Sequence, residues 1–208
     1  MSTELEAKLH LTEDVYRRLR ADPDLLGQPT STRRLELQTN LYYDSPGGAL
    51  RRAGATLRAR RVAGRAGVEW TLKSRRRVEN AIQTTDELVG MGPDGPDPLE
   101  LAGEVPPVTA ARDLAGASLR LELTATTERL IVVVEAPNGG AIELAIDRLT
   151  IPGYSHFVDY ELEAESHGAS REDVEALAAS LTARFGLRLS TETKRARLQA
   201  YLQRRASH

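Results

Sequence analysis

The chain has 208 residues, 28% of them charged and 40% hydrophobic, with a formal net charge of −2. Length and composition predict one soluble globular domain spanning residues 1–208, and the absence of cysteine excludes disulfides, thiolate metal sites and cysteine nucleophiles. No apolar run has the length of a membrane span and the first residues are acidic instead of basic, so we expect a cytoplasmic protein that does not contact a membrane.

The first half of the chain predicts strands joined by short turns, with one helix. Residues 3–11 alternate, with Glu4, Glu6 and Lys8 on one side and leucine or alanine on the other, as in a strand with one apolar face. Thr12 is expected to cap a short helix. Further strands are predicted at 33–43, 54–62, 66–74 and 80–88, with turns at 44–48 and 63–65.

The second half begins with a segment rich in proline and glycine, 90–107, which predicts a loop with at most one helical turn. Strands are predicted at 118–125, 128–136, 141–151 and 156–166, followed by helices at 170–185 and 191–205. Eight or so alternating strands with few helices favour a mainly β protein of the α+β class, either an antiparallel barrel or a sandwich.

The charges are sorted by strand. From Arg51 to Arg77 there are ten basic residues and one acid, Glu69, whereas residues 159–165 hold four acids and no base. Such faces either contact water or line the inside of a closed barrel. Like charges two residues apart on one strand face lie about 7 Å from each other and repel. Strands whose charges all have one sign therefore favour a barrel interior in which these side chains bind counter-ions.

The two charge blocks suit a metal and an anion. Several carboxylates without sulfur ligands favour Mg²⁺, Mn²⁺ or Ca²⁺, and arginine and lysine bind phosphate oxygens. The carboxylates are those of Glu4, Glu6, Glu161, Glu163 and Glu165, and the bases are Arg58, Arg60 and Lys73. A nucleic-acid site would instead need stacking aromatics on a basic surface, and the basic stretch holds only Trp70.

At this point seven segments, in order along the chain, resemble those of the CYTH, or triphosphate tunnel metalloenzyme, superfamily. MSTELEAKLHL resembles its Glu-x-Glu-x-Lys signature, and LYYDSPGGALRRAGATLRARR resembles its Tyr-Asp-x-Pro turn and Leu-Arg-x-Arg strand. Further likenesses are EWTLKS, ERLIVVV, IELAIDRL, DYELEAES and TETKRARLQAYL. The resemblance covers nearly the whole chain and implies an eight-stranded antiparallel closed β-barrel, or tunnel, with helices packed outside.

The resemblance also implies roles for individual residues. Acidic side chains would hold one or two ions of Mg²⁺ or Mn²⁺: Glu4, Glu6, Glu143, Asp147, Glu161, Glu163 and Glu165. Basic side chains would bind the triphosphate and stabilise charge during its cleavage: Lys8, Arg58, Arg60, Lys73 and Arg129, with Lys194 closing the tunnel from the last helix. One departure is Thr84-x-Asp86, where many members have Arg-x-Glu near the fifth strand.

These observations predict metal-dependent hydrolysis of a small-molecule triphosphate, with inorganic triphosphate favoured because aromatic residues make up only 4% of the chain. Nucleic acid is not an expected partner, and the protein is expected to be a monomer or homodimer. Alternatives are a class IV-type adenylate cyclase, a thiamine triphosphatase that would use Trp70, Phe157 or Tyr160, and a non-catalytic polyphosphate or nucleotide sensor. The four scattered histidines are not expected to bind metal: His10, His156, His167 and His208.

Overall fold

The computed structural model describes residues 2–22, 30–95, 97–116 and 118–206, and the side chains of 30–32 and 206 are not part of that description. His208 therefore lies outside the described residues. In the part of the chain that is described, no helix is both long enough and apolar enough to span a membrane.

Strands dominate the described chain. The strands are β1 (Ser2–His10), β2 (Thr30–Asp44), β3 (Thr56–Val62), β4 (Val68–Glu79), β5 (Ile82–Gly92), β6 (Arg120–Glu135), β7 (Ala141–Ile151), β8 (Tyr154–His167) and β9 (Arg188–Leu189). The helices are α1 (Glu13–Ala21), α2 (Ala49–Arg52), α3 (Pro98–Leu101), α4 (Pro106–Ala115), α5 (Arg171–Phe185) and α6 (Lys194–Ala206).

The strands form one sheet in the order β5-β4-β3-β2-β6-β7-β8-β1-β9, and a further pairing joins β5 to β1. That pairing closes the first eight strands into an antiparallel β-barrel, while the two-residue β9 adds to β1 as an extra strand. The predicted fold class, a mainly β closed barrel with additional helices, is confirmed.

The chain divides into two compact units. The first unit comprises Met1–Thr3, Leu37–Arg76 and Thr85–Thr126, and the second comprises Glu4–Glu36, Arg77–Thr84 and Thr127–His208. Strands β1, β2, β4, β5 and β6 contribute residues to both units, so this division does not test the predicted single domain, which stays a prediction.

The core of the first unit follows from strand alternation. Leu57 and Ala59 of β3 are buried with Trp70 and Leu72 of β4, and they alternate along the chain with the charged residues of both strands. Trp70 also packs against Tyr43, with 5.2 Å between the ring centroids. Because side chains on a strand point alternately to opposite faces, burying this face directs Arg58 and Lys73 to the other.

The predicted turn after β2 is built around Asp44. Its buried carboxylate accepts hydrogen bonds from the backbone N–H groups of Ser45, Leu50 and Arg51, which satisfies the first donors of α2. Gly48 immediately precedes α2 with φ 72°, a conformation that costs glycine little. The Asp-Ser-Pro-Gly-Gly segment therefore encodes a capped turn.

The second unit has its own core. Ala7 and Leu9 of β1, Leu144 of β7, and Leu162 and Ala164 of β8 are fully buried in it. Helices α1 and α5 cover these strands with their apolar sides, and the predicted α5 residues are all buried: Leu177, Ala178 and Leu181. As predicted, Ser170 caps α5; it forms a reciprocal capping box with Asp173. The charged residues that alternate with this core are left on the opposite face of the sheet.

Two predicted elements were wrong. The strands expected at 118–125 and 128–136 are one strand, β6, because no glycine, proline or asparagine interrupts residues 120–135. The loop expected at 90–107 contains the start of α4, whose Pro106 and Pro107 occupy its first turn. Proline is favoured there because the first helical N–H groups have no partner within the helix.

Candidate active site

The acidic residues of three strands come together in the second unit. Strand β8 lies between β1 and β7, and its carboxylates alternate with core residues. In the register, Glu165 is opposite both Glu6 of β1 and Glu143 of β7. Glu161 is likewise opposite Asp147 of β7. The structure therefore aligns acids that are up to 159 positions apart in the sequence, because β1 and β8 are neighbours, as the sequence interpretation required.

Lys8 lies among these carboxylates. It is opposite Glu163 in the register, and its Nζ lies 3.1 Å from Glu163 Oε1 and 2.9 Å from Glu6 Oε1. Although burial alone would lower the pKa of Lys8, the charges of Glu6, Glu163 and Glu161 raise it well above its ordinary value. Lys8 is therefore a buried, permanently charged ammonium group.

Arg129 of β6 binds two acids. Its Nε donates to Asp147 Oδ1 at 2.8 Å, and its Nη2 donates to Asp147 Oδ2 and to Glu163 Oε2, both at 2.6 Å. Burial opposes ionisation of both partners, yet Arg129 and Lys194 lower the pKa of Asp147, and Asp147 with Glu163 raises that of Arg129. The forked guanidinium matches the carboxylate in a bidentate pair.

Lys194, the first residue of α6, reaches three carboxylates. Its Nζ lies 2.6 Å from Asp147 Oδ2, 2.9 Å from Glu163 Oε1 and 3.2 Å from Glu161 Oε1. Burial would lower the pKa of Lys194, but Asp147, Glu163 and Glu161 raise it. Lys194 thus lies among the carboxylates of the second unit, and its predicted role in substrate binding stays a prediction.

Glu161 is an acid that is fully buried. Its side chain is 0% exposed, and both its oxygens are buried without a hydrogen bond from the described residues. Its charge is offset by ion pairs with Lys194 and with Arg197 of α6, whose Nη2 lies 2.7 Å from Oε2. Burial nevertheless raises the pKa of Glu161, because desolvation outweighs these cations.

Four other predicted metal ligands lie at one end of this set. Glu6, Glu165 and Glu143 occupy one row across β1, β8 and β7, and Glu4 lies two residues earlier on the Glu6 side of β1. Glu4, Glu143 and Glu165 are all half-buried. Like charges directly opposite each other on neighbouring strands are destabilising, so this row favours a bound cation.

The donor chemistry fits a divalent ion of the Mg²⁺ or Mn²⁺ type, since the strands offer carboxylate oxygens and neither cysteine nor a histidine cluster. Within residues 2–22, 30–95, 97–116 and 118–206, however, no three acidic or imidazole side chains already form a group that would hold a metal. The convergence point of Asp147, Glu161 and Glu163 holds the Lys194 ammonium. A metal would therefore share these carboxylates with lysine.

In the first unit, the predicted phosphate-binding residues of β3 are held loosely. Arg58 Nη2 donates to Thr71 Oγ1 at 3.3 Å, and Arg60 Nε donates to Asn40 Oδ1 at 3.2 Å. The same two guanidinium groups lie 3.6 and 3.7 Å from Glu69 Oε1. Ion pairs of this length at a half-exposed carboxylate are weak, so both arginines can exchange this partner for an anion.

On β5 the acid that contacts Lys73 is Glu87, at 3.6 Å, whereas Asp86 lies 3.5 Å from the exposed Arg75, and Thr85 is buried. Strand alternation places Thr85 and Glu87 on one face, away from Thr84 and Asp86. The departure at Thr84-x-Asp86 stays a prediction.

The other sequence candidates are less central. Trp70 is fully buried in the core of the first unit, and Tyr160 packs on Tyr16 with 4.8 Å between ring centroids. Phe157 packs on Tyr201 of α6 at the same centroid distance. The sequence analysis did not single out Glu87 or Arg197, although Arg197 lies in the TETKRARLQAYL segment. The i, i+3 spacing of Lys194 and Arg197 on a helix was the available signal for Arg197.

Comparisons with known proteins agree with the fold. The CYTH domain family model matches residues 2–198. HpAC1 from Hippeastrum is 21% identical, with a TM-score of 0.72 and coverage of 95% of each chain. A proposed adenylate cyclase from Bacillus halodurans is also 21% identical, with a TM-score of 0.64 and coverage of 95% of this chain and 98% of that one. No curated protein sequence matches significantly. Identities this low show a shared fold.

Proposed function

Because the chain belongs to the CYTH family, we propose that it is a metal-dependent triphosphatase, with inorganic triphosphate as its preferred substrate. Members of the family are generally dependent on a divalent metal, and HpAC1 is described as having a dominant triphosphatase activity. The proposal goes beyond the family in naming both the reaction and the substrate for this chain.

The observation that carries the proposal is the buried network of the second unit. Lys8, Arg129 and Lys194 are ionised cations that share the carboxylates of Asp147 and Glu163. Burying this many charges costs folding free energy. Such a network would add little to the stability of a purely structural protein. A binding site for a metal-bound polyanion, in contrast, requires both acidic and basic side chains in an environment shielded from water.

The basic residues of each unit would bind phosphate oxygens. In the second unit these are Lys8, Arg129 and Lys194, and in the first unit Arg58, Arg60 and Lys73. Arg58 has a buried Nε that donates no hydrogen bond to any described residue, so this donor is available to a phosphate oxygen. Stabilising charge on the transferring oxygens by such groups is the main contribution of protein side chains to phosphoryl transfer.

The acidic residues would hold Mg²⁺ or Mn²⁺: Glu4, Glu6, Glu161 and Glu163, with Glu143, Asp147 and Glu165 completing or orienting the set. The bound ion would supply charge neutralisation and an activated water. The carboxylates would orient the metal ion. The lysines and arginines would hold the substrate so that the breaking P–O bond lies in line with the attacking water. In the proposed reaction, water adds to the terminal phosphorus, and the bond between this phosphorus and its bridging oxygen breaks. Diphosphate, phosphate and a proton are released.

The test is phosphate release from inorganic triphosphate, ATP and thiamine triphosphate, with Mg²⁺, with Mn²⁺ and with EDTA. We expect the highest kcat/KM for inorganic triphosphate and no turnover in EDTA. Glu6→Gln is expected to lower kcat by at least about 100-fold, because it removes a buried carboxylate at the site. Glu13→Gln, at an exposed side chain of α1, is the matched control.

Each rival function has its own outcome in this assay. Cyclic AMP and diphosphate as the products of ATP would assign a cyclase, and a preference for thiamine triphosphate would assign that substrate. Tight triphosphate binding without turnover under any metal would identify a sensor. Full activity of Glu6→Gln would overturn the proposed site.

A further inference from the structure

Arg197 connects α6 to the acidic strand β8. Its Nε donates to Asp159 Oδ2 at 2.8 Å, and its Nη2 lies 2.7 Å from Glu161 Oε2. Arg197 follows Lys194 by three residues, so both side chains lie on the same side of α6. One helix thus delivers two cations to neighbouring carboxylates on one face of β8.

The same guanidinium also secures the segment before α6. Arg197 Nη1 donates to Ser190 Oγ at 3.2 Å and to the Glu192 carbonyl at 3.1 Å. Ser190 is anchored in turn: its N–H donates to the Lys8 carbonyl at 2.8 Å, and its own carbonyl accepts from Gln83 Nε2 at 2.7 Å. Arg197 therefore joins β8 to a segment that is itself fixed to β1 and β5.

The remainder of α6 is held by other contacts. Leu198 is fully buried, and Tyr201 packs on Phe157 and edge-on against Tyr154. These apolar contacts lie beyond the first turn of the helix. Removing the Arg197 charge is therefore expected to loosen the first turn, where Lys194 is, and to leave the helix docked.

We propose that Arg197 is a positioning residue for the triphosphatase reaction. It fixes the first turn of α6 on Asp159 and Glu161, so that the Lys194 ammonium meets Asp147, Glu161 and Glu163 at a defined point. Arg197 does not contact substrate; it acts through Lys194. The inference rests on the proposed function, in which Lys194 binds the triphosphate.

The experiment compares Lys194→Met, Arg197→Met, the double variant and Arg197→Lys with the wild type. We expect Arg197→Met to raise KM for inorganic triphosphate about 10-fold or more, with a smaller change in kcat, because binding is lost more than chemistry. The double variant should be no more than about two-fold worse than Lys194→Met, since residues acting as a unit are not additive. Arg197→Lys should recover part of the loss.

Arg204→Met, in the exposed last turn of α6, is the matched control for charge and helix propensity. The proposal is overturned if the effects of Lys194→Met and Arg197→Met multiply in the double variant. It is also overturned if Arg197→Met lowers only thermal stability and leaves KM unchanged.

Amide hydrogen exchange of the metal-free protein separates this inference from the proposed function. Arg197→Met should speed exchange in residues 190–197 and leave 199–205 protected, whether or not the protein hydrolyses triphosphate. A wild type without turnover, together with this exchange pattern, refutes the triphosphatase and retains the docking role of Arg197. Unchanged exchange at 190–197 refutes the docking role, whatever the activity.

Discussion

The two compact units hold their charges in different ways. In the first, Arg58 and Arg60 lie 3.6 and 3.7 Å from Glu69, a carboxylate with 37% of its side chain exposed. In the second, Arg129 donates twice to Asp147, at 2.6 and 2.8 Å, and the side chain of Asp147 is 0% exposed. The first arrangement leaves cations ready to change partner, while the second fixes cations and acids to each other.

The difference has an energetic meaning. An exposed ion pair contributes about 0–1 kcal/mol, because water already solvates both charges well. A buried pair is only weakly stabilising as a whole, but removing one member leaves a charge without solvent or partner. The second unit should therefore respond to single substitutions far more strongly than the first.

The largest effect is expected for Arg129→Met. This change leaves Asp147 buried without its bidentate partner, and we expect the free energy of unfolding to fall by about 3–5 kcal/mol. Urea denaturation in EDTA measures it. Arg148→Met is the control, because Arg148 pairs with Glu128 at 2.7 Å where both side chains are about one-third exposed; it should cost no more than about 1 kcal/mol. Equal losses in the two variants would contradict the comparison.

A smaller change in the free energy of unfolding is expected when the pH is lowered. Burial opposes ionisation of Asp147, but Arg129 and Lys194 lower its pKa below the ordinary 3.8. Its carboxylate therefore stabilises the native state above pH 3.8, and this contribution is lost as pH falls through the lowered pKa. Glu161 has the opposite effect on stability. Because its pKa is raised in the native state, protonation of its carboxylate stabilises the native state.

This pH dependence is measured as the difference in unfolding free energy between the wild type and Asp147→Asn, in EDTA, from pH 7 downwards. The difference should be constant near neutrality and shrink below about pH 4. Parallel curves over the whole range would show that Asp147 does not carry the acid sensitivity.

The smallest stability effect is expected for Glu69→Gln in the first unit. Removing this carboxylate should change the unfolding free energy by less than about 1 kcal/mol. It should also increase affinity for inorganic triphosphate by about two-fold to ten-fold, because Glu69 no longer competes for Arg58 and Arg60. Isothermal titration calorimetry measures the affinity, with the exposed Glu100→Gln as control; weaker binding would show that Glu69 orients the arginines instead.

The sequence was informative where a local pattern carries structural meaning. Alternation along β1 predicted that Glu6 and Lys8 share a face, and the acids of β8 were identified by the same rule. Arg197 could not be predicted in the same way, because its role depends on where α6 docks. Glu87, which lies 3.6 Å from Lys73, was not singled out either, because the sequence pattern of β5 is mixed and does not identify its two faces.

The pairing of β1 with β8 has a consequence for how this protein can change over evolutionary time. Lys8 is opposite Glu163 for the same reason that Leu9 is opposite Leu162. A slip of one residue would expose the leucines and drive the acids into the apolar interior. An insertion in β1 is therefore expected to prevent folding, so it cannot change the chemistry of the site. New specificity is accessible through substitution of individual side chains on a fixed frame, which explains how distant relatives with about one identical residue in five can retain the same barrel.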